Sequence, residues 1–261
     1  MSMIRIHQLF FGYSGKPLLF ENFSLTIPRG ESWTLIGPSG CGKSTLLSLM
    51  AGLQKPRRGS IEIEGRPLQR PRPESGLVFQ DHGLLPWATV ADNVALGLNI
   101  RRYYGADGRH APRGWEHDGE KQKKTVSRWI QRLGLEGKEA LYPAQLSRGQ
   151  RQRAAIARTM VMKPDLLLMD EPFSALDPPI REELQGLMIR LGRRESITRI
   201  TVTHDIAEAV ILGEKILVAR AGTNHKPQIL KNPVALEKDP RTHKDFNAMC
   251  KGVRQAMGGL Q

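Results

Sequence analysis

The chain has 261 residues, 39% of them hydrophobic, which is enough to bury a sizeable core as one large domain or one domain with an appended lobe. Its formal net charge of +13 points to an anionic partner or surface, and nucleic acid, nucleotide phosphates and lipid head groups all qualify. Two widely separated cysteines, Cys41 and Cys250, exclude a disulfide framework or a zinc site and fit a reducing cytosol; no apolar run reaches the ~20 residues of a membrane span and Met1–Phe10 carries no secretory signal, so any membrane role is expected to be peripheral.

In chain order, Met3–Phe11 and Phe23–Ile27 read as strands, with a turn at Gly30. Ser32–Ile36 is a short apolar strand that runs directly into the glycine-rich stretch Gly37–Gly42, and Ser44–Ala51 follows as a helix. Ile61–Glu64 alternates like an exposed edge strand, and Gly76–Phe79 reads as a buried one. Thr89–Leu98 is helical. Arg101–Arg128, with eight Lys/Arg against four Asp/Glu, is poorly periodic and reads as a basic loop entering a helix over Thr125–Leu133. That loop is either a solvated surface or a contact for anionic lipid or a membrane partner.

Strand and helix then alternate. Leu166–Met169, Arg199–Thr203 and Lys215–Ala219 read as strands, and Ile180–Leu191 and Ile206–Leu212 as helices. This is the rhythm of a parallel sheet covered by helices. The tail from Lys231 is polar and basic, with weak helical character near Lys244–Met257.

Gly37-Pro38-Ser39-Gly40-Cys41-Gly42-Lys43-Ser44 matches G-x-x-x-x-G-K-[ST] between a strand and a helix. Glycines permit the tight turns that aim backbone N–H groups inward, and the helix N-terminus adds positive potential, so phosphate oxygens suit this loop. Lys43 can reach the β- and γ-phosphates, and the Ser44 hydroxyl can hold Mg²⁺. Leu166–Met169 delivers Asp170 and Glu171 at the C-terminal end of an apolar strand, the end at which open α/β sheets bind ligands. Asp170 suits Mg²⁺ beside the phosphate loop, and Glu171 suits a general base for water.

Further motifs resemble the ATP-binding cassette (ABC) family. Leu146-Ser147-Arg148-Gly149-Gln150 is similar to its LSGGQ signature, and Arg151–Arg158 to the helix that follows. Ser174–Asp177 is similar to the D-loop, His204 to the switch histidine, and Gln80 to the Q-loop glutamine. Tyr13 stands where the family stacks an aromatic ring on adenine; an ordinary strand aromatic is the alternative. These motifs, in order, span most of Ile4–Val218.

The resemblance implies an α/β P-loop NTPase fold: a RecA-like core, an antiparallel β subdomain and a helical subdomain at roughly 88–162. The cassette would occupy residues 1–230 and a basic C-terminal tail 231–261. It implies catalytic roles for Glu171, His204 and Gln80. Mg²⁺ would be held by Ser44, Gln80 and Asp170. ATP would contact Tyr13, Gly37, Pro38, Ser39, Gly40, Cys41, Gly42, Lys43, Ser44, Thr45, Ser147, Gly149, Gln150 and Asp177. Arg148 departs from the family by replacing the first signature glycine; it either contacts phosphate or forces the turn to shift.

Leu84-Leu85-Pro86-Trp87 followed by Thr89-Val90-Ala91-Asp92-Asn93-Val94 resembles the ATPases of bacterial importers for nitrate, sulfonates, taurine and related compounds. These apolar residues either anchor two lobes or face a permease. The implied setting is a homodimer of ATPase subunits, peripheral on the cytoplasmic face of the inner membrane, with integral membrane permease subunits and, indirectly, an extracytoplasmic solute-binding protein. No nucleic acid is expected in that setting. The alternatives are a soluble ABC-type ATPase acting on nucleic acid or ribosomes, and a regulatory cassette that binds nucleotide without turnover.

Overall fold

The computed structural model describes residues 2–104, 119–237 and 239–258. In chain order its elements are β1 (Ser2–Phe11), β2 (Phe20–Pro28), β3 (Ser32–Ile36), α1 (Lys43–Met50), β4 (Arg58–Ile63), β5 (Arg66–Pro67), β6 (Ser75–Val78), α2 (Val90–Tyr104), α3 (Gly119–Arg132), α4 (Arg148–Met160), β7 (Leu166–Asp170), α5 (Pro178–Glu195), β8 (Thr198–Thr203), α6 (Ile206–Leu212), β9 (Lys215–Val218), β10 (Gln228–Lys231) and α7 (Phe246–Gly258).

Two sheets result. One has the order β2-β1-β4-β5, and its paired strands are antiparallel. The other has the order β10-β9-β3-β8-β7-β6 and is parallel except for β10, which closes its edge antiparallel to β9.

The apolar runs of the parallel strands follow from burial on both faces. In β7 the side chains alternate: Leu166 and Leu168 enter a core shared with α1 and the antiparallel sheet, while Leu167 and Met169 enter a core with α2–α5. α1 therefore sits between the sheets, with Leu46, Leu47, Leu49 and Met50 in the first core. A third cluster joins Ile36, Ile216 and Val218 to α6 and α7 through Ala209, Val210 and Val253.

Several expectations are corrected. β4 is flanked by β1 and β5, so it is not an edge; the two-residue β5 is too short for periodicity to reveal. β6 is itself an edge strand, and Phe79, just beyond it, is exposed. The basic stretch is more helical than its composition suggests. α2 extends to Tyr104 and α3 begins at Gly119, with Gln122 donating to Asn99 between them. Val126, Trp129 and Ile130 of α3 are buried, so one apolar face outweighs the polar average of the segment. The rest of the basic loop, 105–118, lies outside the described residues. Beyond Lys231 the chain packs back onto the sheet, with Val234 and Val253 fully buried.

Candidate nucleotide site

β3 is buried along its whole length and delivers Gly37 to the loop that opens α1. Gly42, the residue before α1, has φ 97°, a left-handed value that a residue with a Cβ adopts only under strain. No side chain caps α1 and its first turn holds no acid, so its N-terminal N–H groups remain open toward an anion. Lys43 is only 8% exposed, and its Nζ donates to the Gly37 and Pro38 carbonyls at 2.9 Å each. An ammonium has three donors, so one remains for phosphate.

Three adjacent strands, β3, β8 and β7, bring the other groups to the same sheet end. Ser44 Oγ donates to Asp170 Oδ1 at 3.0 Å. Burial pushes the Asp170 carboxyl up, the Ser44 hydrogen bond opposes this, Glu171 adds to the push and Lys43 counters it. Glu171 has φ 44°, unusual for a side-chain-bearing residue, and is held there by its N–H donating to the Val202 carbonyl at 3.0 Å. Its Oε2 lies 3.0 Å from His204 Nδ1. The His204 side chain is 61% exposed and that of Glu171 21%, so the pair opens to the surface from the histidine side.

Among the described residues no three His, Cys, Asp or Glu side chains converge as a metal cage. One hydroxyl and one carboxylate nonetheless suit Mg²⁺, a hard cation that keeps most of its positions for water and phosphate oxygens.

Tyr13 is 43% exposed, meets the Phe11 ring edge-on and hydrogen-bonds Thr45 at 3.2 Å. The Thr45 bond, helped by Gln54, pulls its phenol below the ordinary value. Gln80 is exposed just beyond β6, and no hydrogen bond joins it to Ser44 or Asp170 among the described residues.

The signature lies apart from these groups in its bonding. Ser147 Oγ accepts the Gln150 N–H at 3.2 Å while Gln150 Oε1 accepts the Ser147 N–H at 3.0 Å, a reciprocal cap on α4. Arg148 is the first residue of α4 and is exposed, beside the intact Ser147–Gln150 cap. Gly149 is required by packing: a Cβ there would lie 2.7 Å from Ile180 Cγ2. Asp177 precedes α5, exposed, and caps no N–H with its side chain.

Trp87 is 74% exposed, whereas Leu84 packs against the helical core. The turn carrying Trp87 is held by buried Asn93, whose Nδ2 donates to the carbonyls of Leu85, Ala88 and Thr89 and whose Oδ1 accepts the Leu85 N–H. Leu84 is thus the anchor, and Trp87 faces outward.

Two groups that meet Asp205, the residue after His204, were not singled out from sequence. Glu208 is buried with one oxygen unpartnered, and burial, with Asp205 beside it, pushes its carboxyl up to about 7. Arg181 donates to the Leu176 carbonyl and pairs with Asp205 at 3.6 Å. The only sequence signal was Asp205-x-x-Glu208, a helix-start pattern in which Asp205 accepts the Glu208 N–H.

A phosphate loop at the C-terminal ends of parallel strands, with a hydroxyl–carboxylate pair and a glutamate–histidine pair beside it, defines a P-loop nucleotide-binding protein. The ABC transporter family pattern matches residues 20–174. The chain is 40% identical over 234 residues to the aliphatic sulfonates import ATP-binding protein SsuB of Bacillus subtilis (strain 168), covering 90% of this chain and 85% of that protein. It is 40% identical over 222 residues to the taurine import ATP-binding protein TauB of Escherichia coli (strain K12), covering 84% and 80%. Among solved structures, CbiO1 from Clostridium perfringens, part of an ABC transporter complex, aligns with a TM-score of 0.75 at 27% identity over 90% of each chain. A dimeric cassette in a post-hydrolysis state, bound to ADP and Pi, aligns with a TM-score of 0.73 at 30% identity, covering 88% of this chain and 98% of that one. The chain belongs to the ABC transporter family and is an ATP-binding ATPase of that family.

Proposed function

We propose that this chain energises an importer for a small solute of the nitrate, sulfonate or taurine class. Support comes from its similarity to sulfonate and taurine import subunits. In this reading residues 1–230 are the cassette, with its helical lobe at roughly 88–162. Two copies pair, as the solved dimeric cassette does. They sit peripherally on the cytoplasmic face of the membrane against permease subunits, and indirectly serve an extracytoplasmic solute-binding protein. Among the described residues no helix is long and apolar enough to cross a membrane, so the permease carries the solute path. Exposed Trp87, on its Asn93-braced turn, suits the permease contact.

Gly37–Ser44 holds the phosphates, with Lys43 balancing their charge. Tyr13 and Thr45 flank the base and the first turn of α1. Ser44, Asp170 and Gln80 would hold Mg²⁺, which supplies charge neutralisation between phosphate groups when bound. Glu171 takes the proton from the attacking water, and His204 orients Glu171 and reaches the γ-phosphate. Ser147, Gly149, Gln150 and Asp177 of one copy close over the nucleotide of the other.

The observation that carries this reading is the 3.0 Å contact of Glu171 with His204, one residue beyond the Asp170–Ser44 pair. The test is Glu171→Gln. ATP affinity should hold, steady-state hydrolysis should fall by about 10²–10⁴-fold, and copies should accumulate as an ATP-bound pair on size-exclusion chromatography. Parental turnover would remove Glu171 as the base.

A further inference from the structure

We propose that Asn224 is a positioning residue for the phosphate loop, its side-chain amide fixing the Cys41 carbonyl and thereby aiming the Gly42 N–H at a bound phosphate. This rests on the reading of Gly37–Ser44 as the phosphate-binding loop.

Asn224 lies between β9 and β10 and is 4% exposed. Its backbone is fixed on both sides: its N–H donates to the Leu19 carbonyl at 2.8 Å, and its own carbonyl accepts the Glu21 N–H at 3.0 Å. The side chain cannot be turned over. Oδ1 accepts the Arg220 N–H at 2.8 Å, and a backbone N–H can face only an acceptor. Nδ2 must therefore face carbonyls, and the nearest is that of Cys41 at 3.2 Å, ahead of Leu19 and Arg220 at 3.3 Å each.

The consequence follows from peptide geometry. In a planar trans peptide the C=O of Cys41 and the N–H of Gly42 point in opposite directions. Held at the carbonyl by Asn224, this peptide presents the Gly42 N–H on its other side, at the start of α1. Gly42 has φ 97°, and glycine reaches many neighbouring conformations at little cost, so a flip of this peptide is open to the backbone. The Cys41 N–H is tied only by a long contact to the Pro38 carbonyl, 3.4 Å. The Asn224 amide is the bond that opposes the flip. Nearby Thr223 makes a useful contrast: its Oγ1 donates to the Leu18 carbonyl at 2.8 Å, tying the same segment to the connection between β1 and β2 without touching the phosphate loop.

The experiment compares Asn224→Asp and Thr223→Ala with the parent, using the purified full-length chain, ATP titration for affinity and steady-state ATPase for KM and kcat. Asn224→Asp keeps the acceptor toward Arg220 and removes the donor toward Cys41. Its ATP affinity should fall about tenfold and KM rise in step, with kcat within about threefold because the lost contact serves ground and transition states alike. Thr223→Ala should stay within about twofold on every measure. Unchanged affinity in Asn224→Asp, or an equal loss in Thr223→Ala, overturns the proposal. Should Asn224→Asp fail to fold, Asn224→Ser, uncharged and too short to reach Cys41, carries the same expectation and the same refutation. If the parent chain itself does not bind ATP, the phosphate-loop reading fails instead, which is a separate result.

Discussion

The helix starts at Lys43 and at Arg148 are built from similar parts and finished differently. At α1 no side chain caps the first turn, and the open N–H groups lie at the sheet end that also carries Ser44–Asp170 and Glu171–His204. At α4 the Ser147–Gln150 box occupies two backbone donors, and Ser147 and Arg148 face outward. The α1 end has no side-chain cap at all; the α4 end is capped, and among its first-turn donors the Arg148 and Gly149 N–H groups and the Ser147 hydroxyl hydrogen lie outside the box. An anion at α1 is thus gripped by local chemistry, whereas an anion at α4 must be brought there and must share N–H groups with the cap. That contrast suits the proposed pairing, in which one copy's α4 end meets the nucleotide held at the other's α1.

The hardest way to break the comparison is Lys43→Ala. Loss of a buried charge-assisted donor should lower ATP affinity about 100-fold, and equal affinity in a binding titration would remove the contrast at its stronger end. Next is Gly149→Ala. Helix propensity alone would stabilise α4 by about 1 kcal/mol, but the added carbon meets Ile180 Cγ2 at 2.7 Å. Overpacking of this kind costs about 1–3 kcal/mol, so the thermal midpoint should fall. A rise would mean that α5 yields freely.

Glu208 sharpens the phosphate end. Its folded carboxyl stands at about 7 against an ordinary 4.5. At pH values below the ordinary one both states hold the proton and the group is neutral in its effect. As pH rises from there toward about 7, the unfolded chain ionises freely while the folded one is held back, so stability is lost across that window. A carboxyl rise of that size corresponds to about 3 kcal/mol, so Glu208→Gln should match the parent's thermal midpoint near the acid end and exceed it by roughly 6–12 °C at alkaline pH; a flat difference across pH would refute this. The smallest effect belongs to Arg148→Gly, where an exposed side chain at the first helical position is removed. ATPase should change by no more than about twofold, and a larger loss would place the guanidinium on phosphate.

The phosphate loop was legible because every part of it lies within eight consecutive residues whose spacing dictates backbone shape, and β7 because burial on both faces leaves an uninterrupted apolar run. The two-residue β5 and the outward Trp87 were not, since pairing order and exposure are properties of the assembled sheet. Asn224 was least visible of all. Its value comes from a carbonyl 183 positions earlier in the chain, in a segment without periodicity. Glu208 shows the intermediate case: the helix-start pattern was readable, but burial beneath Asp205 and Arg181 was not.

α1 has Lys43, Thr45, Leu46, Leu47, Leu49 and Met50 all buried between the two sheets. A nucleotide held at its first turn therefore acts on a keystone rather than on a rim. Local opening of β1 or β2 has to loosen α1, and a ligand that binds only the intact arrangement raises the cost of that opening by mass action. Amide protons on the far antiparallel strands, which no phosphate touches, should exchange with solvent more slowly once ATP is bound.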